Sequence, residues 1–198
     1  MIYVMRHGES TVNVGRVIHC KSREGDLTDL GREQADKAGQ WLVGKDITKI
    51  RCSSYARAMQ TAAIVGDILN IEPVVDEDLG EVDCGDLLDG SIGEEAWQSL
   101  IDVYEAWIAG NKDAYFPGGE TFQDLHRRFS RGLARVDQDT LVVAHGGIMR
   151  AVIPYLCVNA AALQKVSWFD NTGIAVLDKY NSGQYNCLSW NLREHLDS

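Results

Sequence analysis

Two histidines stand in matching places in this sequence, each at the end of a short apolar run. His7 follows the run 2–5 with one arginine between, and His145 follows the β-branched run 140–144 and precedes two glycines. Ligands of open α/β sheets bind at the carboxyl ends of the strands. If the two runs are neighbouring strands, both imidazoles face one pocket. A single histidine at a strand end has little meaning, whereas two in the same context predict a site.

Three further side chains suit an anion at that edge. Arg6 stands beside the first histidine. Arg57 falls in the first turn of a predicted helix, where free backbone N–H groups can share the anion. A guanidinium fork matches the oxygens of phosphate better than an ammonium does. Glu81 follows a short predicted strand. Each residue alone is more often a surface residue, so the prediction depends on the combination.

Together these residue types can transfer a phosphoryl group. A neutral imidazole can attack phosphorus, while two arginines and a second imidazole stabilise the spread negative charge. An alkoxide is a poor leaving group at neutral pH, so a carboxyl group must protonate it and later accept a proton from water. The sequence shows no obvious carboxylate cage for a metal ion. Neither a metal nor another cofactor is therefore predicted.

The elements that would position these residues alternate between strand and helix patterns, which favours an α/β fold. Strands are predicted at 2–5, 49–53, 73–75 and 140–144, helices at 28–43, 55–69 and 121–136, a further helix after His145, and two or three strands in the tail 165–191. Residues 91–116 are predicted to form a lid-like helical excursion. No linker or repeat interrupts the chain, which predicts a single domain over residues 1–198.

Composition and charge exclude several classes of protein. The 198 residues are 45% hydrophobic and 24% charged, an ordinary globular mixture. The net charge of −10 opposes binding to nucleic acid, which requires a basic surface. No apolar run approaches the ~20 residues that span a bilayer, and no signal peptide is evident. A cytoplasmic protein without a membrane or nucleic-acid partner is predicted.

The cysteines predict thiols rather than a framework of disulfides. There are five, widely spread and without a CxxC pair, which argues against a disulfide framework and against a structural zinc site. Cys52, Cys157 and Cys187 lie in apolar surroundings and are predicted to be core residues.

Six motifs, in order and covering nearly the whole chain, resemble the histidine phosphatase superfamily, in the branch that contains the cofactor-dependent phosphoglycerate mutases. They are Arg6-His7-Gly8-Glu9-Ser10 with Asn13, Leu27-Thr28-Asp29-Leu30-Gly31, Arg57-Ala58-Met59-Gln60-Thr61, Glu81 with Gly85, Pro117-Gly118-Gly119-Glu120, and His145-Gly146-Gly147. Any one motif is weak, but all six in sequence are specific. The resemblance implies a three-layer α/β sandwich with a mostly parallel sheet and helices on both faces.

The resemblance also implies the role of each site residue. His7 would be the nucleophile that carries the phosphoryl group. The phosphate oxygens would be held by Arg6, Arg57 and His145, assisted by Asn13 and the backbone of Gly146. Glu81 would donate the proton to the leaving oxygen. The chain departs from the family pattern at Cys84, where an aromatic residue is common, and at Ala56, where a basic residue is common.

The favoured function is a metal-independent phosphomonoester phosphatase that acts on a small phosphorylated metabolite through a phosphohistidine intermediate. A cofactor-dependent phosphoglycerate mutase is the alternative. It is disfavoured because segment 91–116 carries five acids and one lysine, which would repel a second phosphate. Lys21 and Arg23 are the additional cations that could reach a substrate. A non-catalytic phosphate-binding domain is a second alternative, and a homodimer is left open. The fold does not select the substrate.

Overall fold

The computed structural model describes residues 1–15, 17–20, 24–86, 88–159, 167–181 and 183–197. The strands are β1 (Ile2–Arg6), β2 (Lys49–Cys52), β3 (Pro73–Val75), β4 (Thr140–Ala144), β5 (Ile174–Asn181) and β6 (Gln184–Leu192). The α-helices are α1 (Thr11–Val14), α2 (Asp29–Leu42), α3 (Ala56–Leu69), α4 (Glu94–Ile108), α5 (Phe122–Ala134) and α6 (Gly146–Leu156). Among the described residues, no helix combines the length and the apolarity that crossing a bilayer requires.

All six strands form one mixed sheet in the order β3-β2-β4-β1-β5-β6. The first four in this order pair in parallel, and β5 and β6 pair antiparallel at the other edge. Strands β1 and β4 are direct neighbours, with Arg6 opposite Ala144. The mostly parallel sheet that the family resemblance implied is confirmed, and the two histidine-bearing strands are neighbours, which was the condition for placing both imidazoles at one edge.

Helices cover both faces of the sheet, which gives three layers. Along β1 the side chains alternate, so that Tyr3 and Met5 pack with α2 and α3, while Ile2 and Val4 join the larger core with α4, α5 and α6. Strand β4 is buried along its whole length. The two site-bearing strands are thus packed on both faces of the sheet.

A close backbone contact explains two of the six motifs. A Cβ atom on Gly31 would lie 1.9 Å from the carbonyl oxygen of Glu9, and one on Gly8 would lie 2.4 Å from the carbonyl oxygen of Gly31. Thr28 caps α2 by accepting from the Gly31 N–H, and its hydroxyl donates to the Glu9 carboxylate at 2.7 Å. The start of α2 is therefore pressed against the turn that follows His7.

Most predicted elements lie within a residue or two of their observed bounds, and the differences are local. The polar loop after β1 contains the short helix α1. The predicted helix 121–136 ends at Ala134, although Val136 is still buried. Residues 167–173 are not strand, and the sheet resumes only at Ile174. Lys21, Arg23 and the start of the predicted tail at 165–166 lie outside the described residues.

The cysteine prediction is wrong at one pair. Cys20 and Cys84 form a disulfide with their Cα atoms 5.6 Å apart. Cysteine count and spacing could not reveal this, because 64 residues separate the two in sequence and the fold brings them together. Cys52, Cys157 and Cys187 are free and buried, as predicted.

Candidate active site

His7 and His145 meet at the carboxyl edge of the sheet, because β1 and β4 run side by side and end together. Their ring centroids are 5.2 Å apart at a steep interplanar angle of 63°. Both side chains are almost completely buried. The cavity in front of them has a volume of about 270 Å³, and Arg6, His7, Asn13, Arg57 and Gly146 line it. The structure thus brings four of the predicted phosphate-binding residues, Arg6, Asn13, Arg57 and Gly146, to the cavity beside His7, whereas His145 contacts the His7 ring and is not among the described lining residues.

Two contacts fix the tautomer of His7. Its Nδ1 lies 2.7 Å from the carbonyl oxygen of Gly8, which can only accept, so Nδ1 carries the proton. Its Nε2 accepts from Nε of Arg57 at 3.2 Å, so the lone pair is on Nε2. Burial first, and then the charges of Arg57 and Arg6, hold the pKa of His7 well below its usual value. The imidazole is therefore neutral, with its lone pair directed at an arginine.

Each of the two arginines is anchored by a hydrogen bond to a backbone carbonyl oxygen, and their two positive charges repel each other. Arg57 also donates from Nη1 to the carbonyl oxygen of Glu24 at 3.2 Å, and Arg6 donates from Nη1 to the carbonyl oxygen of Phe169. Burial lowers the pKa of both guanidinium groups, and the charge of Glu81 opposes this shift. The buried Nε of Arg6 has no hydrogen-bond partner among the described residues. An anion between these two side chains would satisfy it.

His145 is held by groups that the sequence analysis did not single out. Its Nε2 lies 2.8 Å from the hydroxyl of Ser53, and its ring packs edge-on against Tyr55 with centroids 4.8 Å apart. Burial, followed by the charge of Arg57, lowers the pKa of His145 well below the usual value, so it is also neutral. Its Nδ1 has no partner within the described part of the chain. It can offer a neutral N–H rather than a positive charge.

Asn13 lies in the cavity wall with its amide oriented by the surrounding turn. Its Oδ1 accepts from the backbone N–H of Ser10 at 3.1 Å and from Nδ2 of Asn171 at 3.3 Å. Since the oxygen is occupied, the amide NH₂ is the group that can address an anion. Asn171 also donates to the carbonyl oxygen of His7 and so couples this wall to the histidine turn.

Glu81 is placed by the amino end of α6. Its carboxylate accepts from the backbone N–H groups of Gly147 at 3.2 Å and Ile148 at 2.8 Å. Helix amino ends attract negative charge, which gives this position a physical cause. Gly147 must lack a side chain, because a Cβ there would lie 2.1 Å from the hydroxyl oxygen of Tyr104 and 2.8 Å from Oε1 of Glu81. The second glycine of the His145-Gly146-Gly147 motif thus leaves room for both the Glu81 carboxylate and the Tyr104 hydroxyl.

The chain matches the family model for the histidine phosphatase superfamily (branch 1) over residues 2–193. The chain belongs to the histidine phosphatase superfamily. It is 28% identical to phosphoglycerate mutase-like protein 4 of Arabidopsis thaliana, over 99% of this chain and 86% of that protein. It is 29% identical to the probable phosphoglycerate mutase GpmB of Salmonella choleraesuis strain SC-B67, over 96% of this chain and 89% of that protein.

Solved structures of phosphatases share the fold. A mycobacterial glucosyl-3-phosphoglycerate phosphatase in complex with VO3 superposes with a TM-score of 0.77 at 26% identity, covering 96% of this chain and 98% of that one. A putative alpha-ribazole-5'-P phosphatase from Escherichia coli superposes with a TM-score of 0.76 at 26% identity, covering 97% and 96%. This chain is therefore similar both to mutase-like sequences and to phosphatase structures.

The loop that carries Glu81 is held by an arginine that sequence reasoning missed. Arg128 of α5 donates to the carbonyl oxygens of Asp78, Gly80 and Glu81 at 2.9–3.0 Å. The same guanidinium forms a bidentate pair with Glu120 at 2.7 and 2.8 Å. Glu120 belongs to the quoted Pro117–Glu120 motif, but nothing in the sequence indicated its arginine partner. The Cys20–Cys84 disulfide fastens the other side of this loop to residues 17–20.

The acids of segment 91–116 lie on the outside. Glu94, Glu95, Asp102, Glu105 and Asp113 are exposed, and none of them lines the cavity. The inner face of α4 presents Trp97, Leu100 and Tyr104 to the cavity instead. Trp107 and Phe116 are buried in the core, and Tyr115 is exposed. The helical content of the excursion is confirmed, and its action as a lid stays a prediction.

Proposed function

We propose that this member of the superfamily is a metal-independent phosphomonoester phosphatase, with His7 as the nucleophile and a small phosphorylated metabolite as the substrate. The observation that supports this most directly is the state of His7, a neutral imidazole with its Nε2 lone pair facing Arg57. An imidazole must be unprotonated at the attacking nitrogen and held in a fixed orientation to attack phosphorus.

In the first step the phosphoryl group enters between Arg6 and Arg57. The Arg57 N–H that now bonds Nε2 of His7 turns to a phosphate oxygen, which frees the lone pair for in-line attack. Nε2 forms a bond to phosphorus as the ester oxygen leaves, and Glu81 gives that oxygen a proton. Asn13, the backbone N–H of Gly146 and the neutral N–H of His145 assist the arginines with the phosphate oxygens.

In the second step water replaces the alcohol. Glu81, now a carboxylate, takes a proton from the water as its oxygen bonds to phosphorus and the bond to Nε2 of His7 breaks. Inorganic phosphate leaves, and the neutral histidine is restored. The same carboxyl group thus serves as acid and then as base.

The decisive experiment combines kinetics with detection of the intermediate. The wild-type protein should release phosphate from an aryl phosphate in the presence of a chelator, and His7→Ala should abolish release. His126→Ala is a matched control, because His126 lies on α5 against Phe122, outside the cavity lining. Rapid quenching at alkaline pH should yield a phosphorylated peptide that contains His7. Turnover that persists in the His7→Ala variant would exclude the nucleophile assignment.

The mutase is the second candidate, because the two relatives cited carry mutase names. Supplying 3-phosphoglycerate with a trace of its bisphosphate tests it directly: formation of the 2-phospho isomer supports the mutase, and release of phosphate without the isomer supports the phosphatase. The third possibility, a non-catalytic phosphate-binding domain, requires binding of phosphate without turnover of any ester. The presence of Arg6, His7, Arg57 and His145 in one site argues against it.

Location and assembly are also proposals. The three buried thiols support a reducing compartment such as the cytoplasm, and the Cys20–Cys84 bond would then be a reversible one. Cell fractionation and light scattering on the purified protein test the location and the homodimer, respectively.

A further inference from the structure

Much of the described cavity lining is apolar. Its walls include Val12 and Ile18 from the segment after β1, Trp97 and Leu100 from α4, and Trp168. The charged side chains in the described lining are Arg6, Arg57 and Glu81, and the proposed reaction uses all three. His19 also lines the cavity, and its buried Nδ1 has no hydrogen-bond partner among the described residues, so the proposed reaction leaves this imidazole unused.

Trp168 is held rigidly, although its ring is partly exposed. The guanidinium carbon of Arg150 lies 4.2 Å from its ring centroid, and Tyr104 packs edge-on with centroids 5.0 Å apart. Arg150 is itself almost fully buried and pairs with Glu105 of α4 at 2.7 Å. A tryptophan fixed on two sides presents a preorganised flat wall, which lowers the entropic cost of binding a ring.

We propose that the alcohol part of the substrate carries a flat apolar ring that packs against Trp97 and Trp168. This inference rests on the proposed phosphatase function, because it assigns the phosphate end of the same substrate to the arginines. Burying a carboxylate or a second phosphate against Trp97 and Leu100 would cost desolvation without a partner. Trp97 and Trp168 are then the residues that determine specificity, and Arg150 is a positioning residue behind Trp168.

The test measures binding first, so that it is independent of turnover. Two phosphonates, which cannot be hydrolysed, are compared on the wild-type protein: 2-phenylethylphosphonate and 3-phosphonopropionate, which differ in a phenyl ring against a carboxylate. Binding is followed by calorimetry. The phenyl compound should bind at least about tenfold more tightly, the discrimination available from apolar contacts in a pocket. Equal affinities, or preference for the carboxylate, would overturn the inference.

Variants then locate the effect. Trp168→Ala and Trp97→Ala should each weaken the phenyl compound by about tenfold and leave the affinity for inorganic phosphate unchanged. Trp41→Ala is the matched control, because Trp41 packs on the opposite face of the sheet beside Lys45 and should alter neither affinity. Loss of phosphate binding along with ring binding would mean that the tryptophans are merely structural, which also overturns the inference.

Kinetics separate the inference from the function on which it rests. With 2-phenylethyl phosphate and glycerol 2-phosphate as esters, Trp168→Ala should raise KM for the first, with little change in kcat, and should leave both constants for the second unchanged. If no ester is hydrolysed but the phenyl phosphonate still binds preferentially, the proposed function fails and the apolar subsite stands. If both esters are hydrolysed without preference, the function stands and the subsite fails.

Discussion

Gly147 lies in the first turn of α6, next to Tyr104 and to Glu81, the proposed proton donor. Adding one methyl group at Gly147 therefore tests the role assigned to Glu81. In Gly147→Ala the new Cβ would lie 2.1 Å from the hydroxyl oxygen of Tyr104 and 2.8 Å from Oε1 of Glu81. Ordinary contact begins at 3.4 Å, so the tyrosine oxygen must move by more than an ångström and the carboxylate by a smaller amount. A displacement of about 1 Å at a reacting group costs about 10²-fold in rate.

The assay compares esters that differ in their need for an acid. With an alkyl phosphate, whose alkoxide must be protonated, Gly147→Ala should lower kcat by about 10-fold to 10²-fold, which corresponds to at most ~2.7 kcal/mol in the barrier, because the carboxylate must move by less than the tyrosine oxygen. With p-nitrophenyl phosphate, whose leaving group needs little protonation, the loss should be much smaller. The double variant Gly147→Ala/Tyr104→Phe should recover part of the loss, because the phenylalanine lacks the oxygen in the closest contact.

Two results would refute this reasoning. Equal losses on both esters would mean that the displaced group is not the proton donor. Absence of any recovery in the double variant would mean that the contact with Tyr104 does not cause the loss. Thermal melting of each variant checks that the fold is retained, so that a change in kcat reports on the site.

Three further predictions concern the pH dependence, the glutamate loop and the disulfide. The folded-state pKa of His7 lies well below its unfolded value near 6.5, so NMR should find His7 unprotonated at pH 6 in the folded protein. For the same reason the free energy of unfolding should decrease as the pH falls below 6.5, and titration of His7 near 6.5 would contradict this. Arg128→Ala should destabilise the fold by about 3–5 kcal/mol in urea unfolding, whereas Arg127→Ala, an exposed neighbour, should cost at most about 1 kcal/mol. Reducing the Cys20–Cys84 bond, which closes a loop of 64 residues, should cost roughly 4 kcal/mol of stability and raise KM, while a melting temperature unchanged by reductant would contradict the bond.

The fold was readable from the sequence where a local pattern decides the outcome. Strand β4 is β-branched and buried along its length, and α3 repeats its apolar residues at helical spacing, so both elements have the predicted type and nearly the predicted bounds. The adjacency of β1 and β4 was only a condition in the sequence analysis, on which the meeting of the two histidines depended. It could not have been derived from periodicity, which contains no information on strand order.

The parts of the site that escaped prediction depend on backbone atoms and on distant partners. The tautomer of His7 is set by a carbonyl oxygen of Gly8, and no side-chain pattern encodes where that oxygen points. Arg128 acts on the carbonyl oxygens of a loop 47 and more residues away, and an arginine on the polar face of a helix looks like any solvated one. The disulfide between Cys20 and Cys84 could not be predicted for the same reason, because the two residues are far apart in the sequence.

The exposed acids of α4 are a weak obstacle to a second phosphate on the substrate. The acids of α4 point outward, where water and salt screen their field over about a Debye length of 8–10 Å. A closer cause acts on a second anion: the described cavity wall includes Trp97 and Leu100, and an unpaired charge against them would lose its hydration without compensation. Repulsion at long range can slow the approach of an anion, whereas an unpaired contact weakens binding itself. The apolar wall is therefore the stronger ground for expecting a monoester with a single charged end, and the comparison of phosphonates probes that wall directly.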